Sequence, residues 1–140
     1  ESQGRCDGVE LFHASPRDPV WEYVLSGEAA AAAFELTRSQ VVLVGHSHVP
    51  LAISLTDHVL DGGLAAGGTE TALGSSRWLL NPGSVGQPRD GDPRAAWLLL
   101  DLGAGRAEHR RVEYEVASTQ DEIRDRGLPD ALAQRIAHGI

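Results

Sequence analysis

The stretch VVLVGHSHVP, residues 41–50, begins as an apolar run and ends with two histidines separated by one serine. Val41 to Val44 is short, rich in β-branched residues and followed by glycine, which predicts a buried strand ending in a loop. In an extended chain, residues i and i+2 point the same way, so His46 and His48 could reach one metal ion or two adjacent ions. A polar loop that meets solvent at a strand end explains the same pattern without a metal, so further signals are needed.

The composition of the 140-residue chain favours one modest globular domain. The net charge is −8, every basic residue is an arginine and no basic patch is visible, which argues against non-specific binding to nucleic acid. No apolar run approaches the ~20 residues of a membrane span, so no membrane association is expected. The lone cysteine, Cys6, cannot form an internal disulfide, and this fits the reducing cytoplasm.

Apolar periodicity and turn residues predict a mixed α/β chain with several strands and few helices. Strands are predicted at residues 8–12, 41–45, 51–60, 77–80, 95–102 and 106–116, and the glycine-rich residues 61–74 are expected to form turns and a hairpin. Helical segments are predicted as one or two turns after Pro19, at residues 27–37, from Ser118 onward and at residues 128–140.

Two local details of the C-terminal region follow from the same patterns. Val112, Tyr114 and Val116 alternate with charged neighbours, which predicts that one face of the last strand is buried. Ser118 or Thr119 is expected to cap the helix that follows, because serine and threonine side chains accept hydrogen bonds from the first helical turn.

Polar loops rich in glycine and proline follow three of the predicted strands: HASPRDP at 13–19, GHSHVP at 45–50 and NPGSVGQPRDGDP at 81–93. The α/β proteins bind ligands in loops at strand ends. If the three loops converge, three histidines would form a set of nitrogen ligands for a metal, and two forked guanidinium groups would suit phosphate oxygens. The residues that would come together are His13, His46, His48, Arg17, Arg89 and Asn81.

Several of these residues also have an explanation without a ligand. His13 could be a hydrogen-bonded loop residue, and Arg17–Asp18 and Arg89–Asp90 could be local ion pairs or turn formers. The serines lack the spacing to a histidine and an aspartate that a serine nucleophile requires, so a serine hydrolase is disfavoured. The sequence Asn81-Pro82-Gly83 is most simply a turn, and His58, His109 and His138 are expected to be surface or satisfied residues.

Three stretches, in this order, closely resemble the C-terminal half of a bacterial calcineurin-like metallophosphoesterase. They are LFHASPRDPVWEYV at 11–24, VLVGHSHVP at 42–50 and NPGSVGQPRDGDPRAAWLLLD at 81–101. The similar branch contains small single-domain proteins described as diadenosine tetraphosphatase-like or phosphodiesterase-like. The resemblance implies an α/β fold, a four-layer α/β/β/α sandwich, with residues 1–140 forming the C-terminal part of a single domain.

The resemblance also implies a function and a set of site residues. The reaction would be hydrolysis of a phosphodiester or nucleotide-type phosphate at a dinuclear metal centre. By position, His13 and His46 would hold one ion and His48 the other. Imidazole ligands suit divalent Mn, Fe, Zn, Ni or Co, with Mn preferred here. Arg17 and Arg89 are the candidates for contact with the phosphate of a small-molecule or nucleotide substrate.

The chain departs from the family by lacking the motifs D-x-H, G-D-x-x-D and G-N-H-D/E. It also contains no methionine, so we expect a C-terminal fragment whose partner is the N-terminal half of the same domain, and which is a poor enzyme alone. The alternative is a non-catalytic remnant that binds a partner or self-associates as a homo-oligomer, with at most one bound metal. A structural zinc domain is a weaker alternative because Cys6 is the single cysteine available.

Overall fold

The computed structural model describes residues 2–140, which form two β-sheets and three helices. The strands are β1 (Gln3–Cys6), β2 (Val9–Phe12), β3 (Val41–Leu43), β4 (Leu51–Thr56), β5 (Val59–Leu64), β6 (Glu70–Ala72), β7 (Arg77–Asn81), β8 (Ala95–Asp101) and β9 (Arg106–Val112). The helices are α1 (Gly27–Leu36), α2 (Val116–Asp125) and α3 (Asp130–His138). No helix among residues 2–140 is long and apolar enough to cross a membrane.

The larger sheet has six strands in the order β1-β2-β3-β7-β4-β5, and the smaller has three in the order β6-β9-β8. The central strands β2, β3 and β7 run parallel, with Val9 opposite Val41 and Val41 opposite Trp78. The outer strands β1, β4 and β5 are antiparallel to their neighbours. Because β2, β3 and β7 are parallel neighbours, the loops that follow them leave the same edge of the sheet.

The centre of the large sheet is buried on both faces, which explains the continuous apolar run of β3. Val42 and Leu79 pack against α1 on one face. Val41 and Leu80 pack on the other face against residues of the small sheet, among them Ala107. Neighbouring strand residues point to opposite faces, so Val41 at 1% exposure and Val42 at 0% are both core residues. The predicted mixed α/β class is confirmed, with two stacked sheets and α1 outside the larger one.

The helices α2 and α3 form a hairpin at the C-terminus. α2 buries no side chain, whereas α3 buries Ala133 and Ile136. The two helices are joined by the Gln120 side chain, whose Nε2 donates to Ala133 O at 2.8 Å. Beyond α3, Gly139 O accepts a hydrogen bond from Gly91 N at 3.0 Å, which attaches the hairpin to the loop between β7 and β8.

Some predicted elements were wrong. No helix forms after Pro19: Asp18 Oδ1 accepts hydrogen bonds from Val20 N and Trp21 N and closes one turn, but the chain does not continue into a helix. The predicted strand at 51–60 is instead the hairpin of β4 and β5, with a two-residue turn at Asp57 and His58. Both turn residues have positive φ, 47° and 66°, as a type I′ turn requires.

The C-terminal region also differs from the prediction. β9 ends at Val112, which is 51% exposed, and the buried positions of the strand are Ala107 and His109. The predicted strand to residue 116 and the burial of Val112 are therefore wrong, whereas Tyr114 and Val116 are half-buried and the glutamates beside them are exposed. α2 begins before Ser118, with Glu115 at the N-cap and no side-chain hydrogen bond there, so the predicted serine or threonine cap is also wrong.

Candidate metal and phosphate site

The three predicted loops meet at one edge of the large sheet. His13 directly follows β2, Gly45 follows β3 by two residues and Asn81 closes β7. Gly45 N donates to His13 O at 3.1 Å, and Asn81 Nδ2 donates to Gly45 O at 3.1 Å. The structure thus brings the loops together, because all three strands run in the same direction.

His13 and His46 face each other across two of these loops. His13 Nε2 lies 3.0 Å from His46 Nδ1, and the two rings are tilted with centroids 4.7 Å apart. Two imidazole nitrogens at about 2.0–2.1 Å from one tetrahedral ion are themselves roughly 3.3 Å apart. The observed pair is close to that separation, so its donor atoms and spacing fit a shared divalent transition metal.

The backbone at the two histidines of the G-H-x-H segment is not extended. φ is +62° at His46 and +60° at His48, in the left-handed region that few residues other than glycine adopt. The strand alternation used to place both rings on one face therefore does not apply, because β3 has already ended at Leu43. The rings take separate directions: His46 meets His13, whereas His48 meets the loop after β7.

His48 is held in a form suited to metal binding. Its Nδ1 donates to Gln87 O at 2.8 Å, which leaves Nε2 as the nitrogen with a free lone pair. Histidines that bind metals usually donate their other ring N–H in this way. Burial of the ring lowers the pKa of His48, and the charge of Arg89 lowers it further, so the neutral form is favoured.

A buried amide organises the loop that carries both histidines. Asn81 is fully buried, and its Nδ2 donates to Gly45 O and, at 3.0 Å, to Ser47 Oγ. Asn81 Oδ1 accepts from Gly83 N at 2.9 Å, and Asn81 O accepts from His109 Nε2 at 3.0 Å. The turn predicted at Asn81-Pro82-Gly83 therefore also supports the histidine loop. His109 is buried with Nε2 hydrogen-bonded, but its buried Nδ1 has no hydrogen-bond partner among the described residues, so the expected satisfied residue is confirmed only in part.

Two aromatic residues that the sequence analysis did not single out surround His46. The Tyr23 ring stacks on the His46 ring, with centroids 4.4 Å apart and planes 25° apart. Trp21 meets the same ring edge-on at 6.5 Å. Both residues follow His13 within ten positions on the same loop, and this proximity in sequence is the signal that could have revealed them.

Arg89 lies in this group without a carboxylate partner among residues 2–140. Its Nη1 donates to Tyr23 Oη at 3.3 Å and its Nη2 to Gln87 Oε1 at 2.9 Å, while its Nε is buried with no hydrogen-bond partner in the described chain. Asp90 pairs with Arg111 instead, so the local Arg89–Asp90 pair is not formed. Arg89 therefore keeps its positive charge available beside the histidines.

Arg17 pairs with Glu22, whereas the sequence analysis considered a local pair with Asp18. Its Nε donates to Glu22 Oε1 at 2.9 Å, and its Nη2 binds the same oxygen. The hydrogen bonds from Arg17 and from Ser15 Oγ lower the pKa of the Glu22 carboxyl. An anion at Arg17 would have to compete with Glu22, so Arg17 is less free to bind phosphate than Arg89.

The described residues do not by themselves complete a metal centre. Among residues 2–140, no group of three or more histidine, cysteine, aspartate or glutamate side chains is arranged to hold an ion. The structure brings His13 and His46 together, whereas His48, on the same loop as His46, contacts the loop after β7. His58 and His138 are exposed and lie outside the site contacts.

Comparison with known proteins shows the family of the chain. The family model described as "Calcineurin-like phosphoesterase superfamily domain" matches residues 7–105. The chain is 33% identical over 132 residues to the uncharacterized protein MJ0912 of Methanocaldococcus jannaschii, covering 94% of this chain and 51% of that protein.

Two solved structures are similar in fold. The metallophosphoesterase from Sphaerobacter thermophilus matches with a TM-score of 0.91 and 38% identity, covering 100% of this chain and 58% of that one. The hypothetical protein PH1004 from Pyrococcus horikoshii matches with a TM-score of 0.70 and 20% identity, covering 94% of this chain and 46% of that one, and shows the fold alone. The chain spans about half the length of these relatives. With the family match over most of its length, the chain belongs to the calcineurin-like phosphoesterase superfamily.

Proposed function

We propose that this chain carries the histidine ligands of a dinuclear metal centre that hydrolyses a phosphodiester or nucleotide-type phosphate. Membership of the phosphoesterase superfamily supports the hydrolase class. The observation that carries the proposal is the 3.0 Å approach of His13 Nε2 to His46 Nδ1 at the edge where three loops meet.

Each site residue has a proposed role that follows from its surroundings. His13 and His46 hold one ion, and His48 offers Nε2 to the other because Gln87 O fixes its Nδ1 proton. Mn²⁺ is the preferred ion, with Fe, Zn, Ni and Co as alternatives that imidazole also suits. A divalent ion supplies Lewis acidity toward a phosphate oxygen. Arg89 binds phosphate oxygens through its guanidinium, and Arg17 is a second candidate that would first have to leave Glu22.

The missing ligands are proposed to come from the other half of the domain, so the chain alone is inactive. The relatives are about twice as long as this chain, which leaves room for such a half. An apolar cavity of about 310 Å³ lies directly beside His13 and Gly45 and is lined by residues of both sheets, including Leu43 and Leu98. The proposed occupant of this cavity is an apolar segment of that other half, whose ligands would then lie close to the histidines.

Metal binding by the chain is the first test of the histidine roles. We expect His46→Ala to weaken Mn²⁺ binding by at least about tenfold, since changes around metal ligands usually cost 10–100-fold in affinity. Isothermal titration calorimetry of Mn²⁺ into both proteins measures this. His138→Ala is the matched control, because His138 is exposed and is not one of the proposed ligands. Equal affinities of the wild-type chain and His46→Ala would contradict the proposal.

Complementation tests the catalytic part. The chain is mixed with the part of the Sphaerobacter thermophilus metallophosphoesterase that it does not cover, and hydrolysis of bis(p-nitrophenyl) phosphate is followed in Mn²⁺. We expect turnover in the mixture, none with either polypeptide alone, and loss of turnover with EDTA or with His46→Ala. A stable mixed complex that binds Mn²⁺ but shows no turnover would favour the non-catalytic alternative.

A further inference from the structure

The loop between β2 and α1 presents a large aromatic surface to solvent beside the histidines. Trp21 is 75% exposed and Tyr23 is 46% exposed, although both types of side chain usually bury most of their area. The loop itself is ordered: Asp18 Oδ1 accepts from Trp21 N at 3.1 Å, and Val24 is buried. Trp21 is therefore held outward by a fixed backbone.

The two rings differ in what remains open to a ligand. One face of Tyr23 is covered by the stacked His46 ring, and Tyr23 Oη accepts from Arg89 Nη1. Trp21 touches His46 only edge-on, with planes 74° apart, and most of its surface is accessible. An open indole ring thus lies next to the proposed metal ligand, and Tyr23 links that ligand to the Arg89 guanidinium, which has no carboxylate partner among residues 2–140.

We propose that Trp21 is the platform on which a planar aromatic group of the substrate stacks, so that the substrate is a phosphate ester carrying a nucleobase. This inference rests on the proposed phosphoesterase function. With the phosphate held at the histidines and Arg89, a base attached through ribose lies over the exposed ring. Stacking on an aromatic side chain uses the π-face that every base has, so little discrimination between bases is expected.

The experiment compares two probes that differ in the base alone. AMP and ribose 5-phosphate are titrated into the Mn²⁺-loaded chain by calorimetry. AMP should bind about 5- to 150-fold more tightly than ribose 5-phosphate, which is the gain in affinity expected when one base stacks on an aromatic side chain. Trp21→Leu should reduce the affinity for AMP to that for ribose 5-phosphate and leave the latter unchanged. Trp21→Phe should retain most of the preference, because a ring remains.

Leu25→Ala is the matched control, since Leu25 is an exposed apolar residue of the same loop that makes no ring contact with His46. Equal binding of AMP and ribose 5-phosphate to the wild-type chain would overturn the stacking platform while leaving the phosphate site in place. Loss of both affinities together in Trp21→Leu, with a lowered melting temperature, would show a structural role and also overturn it. Failure of both ligands to bind the wild-type chain would overturn the phosphate site itself, and with it the platform.

Discussion

The histidine loop holds two residues in a backbone conformation that is costly for side chains other than glycine. The left-handed region costs about 1–2 kcal/mol per residue, and both His46 and His48 adopt it. Strain of this kind persists where surrounding contacts determine the conformation, and it is found most often at functional sites. The contacts here come from Asn81 and Ser47, which are both buried.

Removal of the Asn81 side chain should therefore relax the loop. Asn81→Ala leaves Gly45 O, Ser47 Oγ and Gly83 N without their partner, and we expect it to lower the free energy of unfolding by about 2–4 kcal/mol. Urea denaturation measures the change. Gln40→Ala removes an exposed amide-to-carbonyl hydrogen bond at Gly74 O and should cost less than about 0.5 kcal/mol. Similar losses in both variants would argue against the buried network.

His109 gives the fold a pH dependence of defined sign. Burial lowers the pKa of His109, and the hydrogen bond to Asn81 O opposes this only in part. Between the lowered pKa and the ordinary value of about 6.5, the unfolded chain binds more protons than the folded chain. The stability should be full above about pH 6.5 and decrease as the pH falls below it, by at most about 1.4 kcal/mol per pH unit for this group.

Chemical denaturation between pH 5 and pH 7 tests that dependence. His109→Gln should reduce the slope of the unfolding free energy against pH. His48, whose pKa is also lowered, should account for the remaining pH dependence. His138→Gln is the control, because His138 is exposed and should leave the slope unchanged. An identical slope in His109→Gln and the wild-type chain would refute the role of His109.

At the scale of elements, three parallel strands position the site and α1 covers one face of their sheet. α1 connects β2 to β3, so its packing on Val42 and Leu79 helps to bring His13 and His46 to one edge. Its start is defined by Ser26, whose Oγ accepts from Ala29 N at 3.2 Å. α2 has no such cap.

The two helices allow a matched test of serine capping. Ser26→Ala should cost about 1 kcal/mol of stability, because the cap of α1 is lost. Ser118→Ala places alanine inside α2 and should be neutral or stabilising by up to about 0.5 kcal/mol, since alanine is the better helix former. Both values come from urea denaturation. A loss in Ser118→Ala as large as that in Ser26→Ala would contradict the observed helix starts.

At the scale of the whole molecule, the C-terminal hairpin supports the loop that carries Arg89. Arg111, whose side chain is 3% exposed, binds Asp90 and donates to Arg94 O, which ties this loop to β9. Gly139 ends α3 at a φ of +64° and lies directly against the backbone of Asp92. The C-terminal end of α3 is thus in direct contact with the loop that carries Arg89, the candidate for phosphate binding.

Gly139 and Gly127 have nearly the same φ, so alanine substitutions at the two positions distinguish the effect of this contact from that of backbone strain. A Cβ at Gly139 would lie 2.7–2.9 Å from Asp92 N, C and O, whereas a Cβ at Gly127, at φ +68°, would meet nothing within 4 Å. Gly127→Ala should cost about 1–2 kcal/mol from the left-handed backbone alone. Gly139→Ala should cost more and should speed amide hydrogen exchange in α3 and residues 89–92. Equal costs with unchanged exchange would show that the contact is unimportant.

The elements that depend on local chemistry could be predicted from the sequence alone. The β-branched run at 41–44 indicated a buried strand, the alanine-rich residues 27–37 indicated a helix, and the polar loops after three strands indicated the candidate site. The motifs in these loops also indicated the superfamily, which the family match confirms. These features follow from side-chain periodicity, helix propensity and turn chemistry within short windows.

The partners of the polar and aromatic residues, in contrast, depend on the three-dimensional arrangement of the strands. His13 meets His46 across 33 positions of sequence, Arg89 meets Tyr23 across 66, and Arg111 meets Asp90 across 21. The left-handed backbone of His46 likewise depends on Asn81, which closes a strand 35 residues later. Local patterns carry no information on such pairs, because the order of strands in the sheet and the direction of each strand determine which loops come into contact.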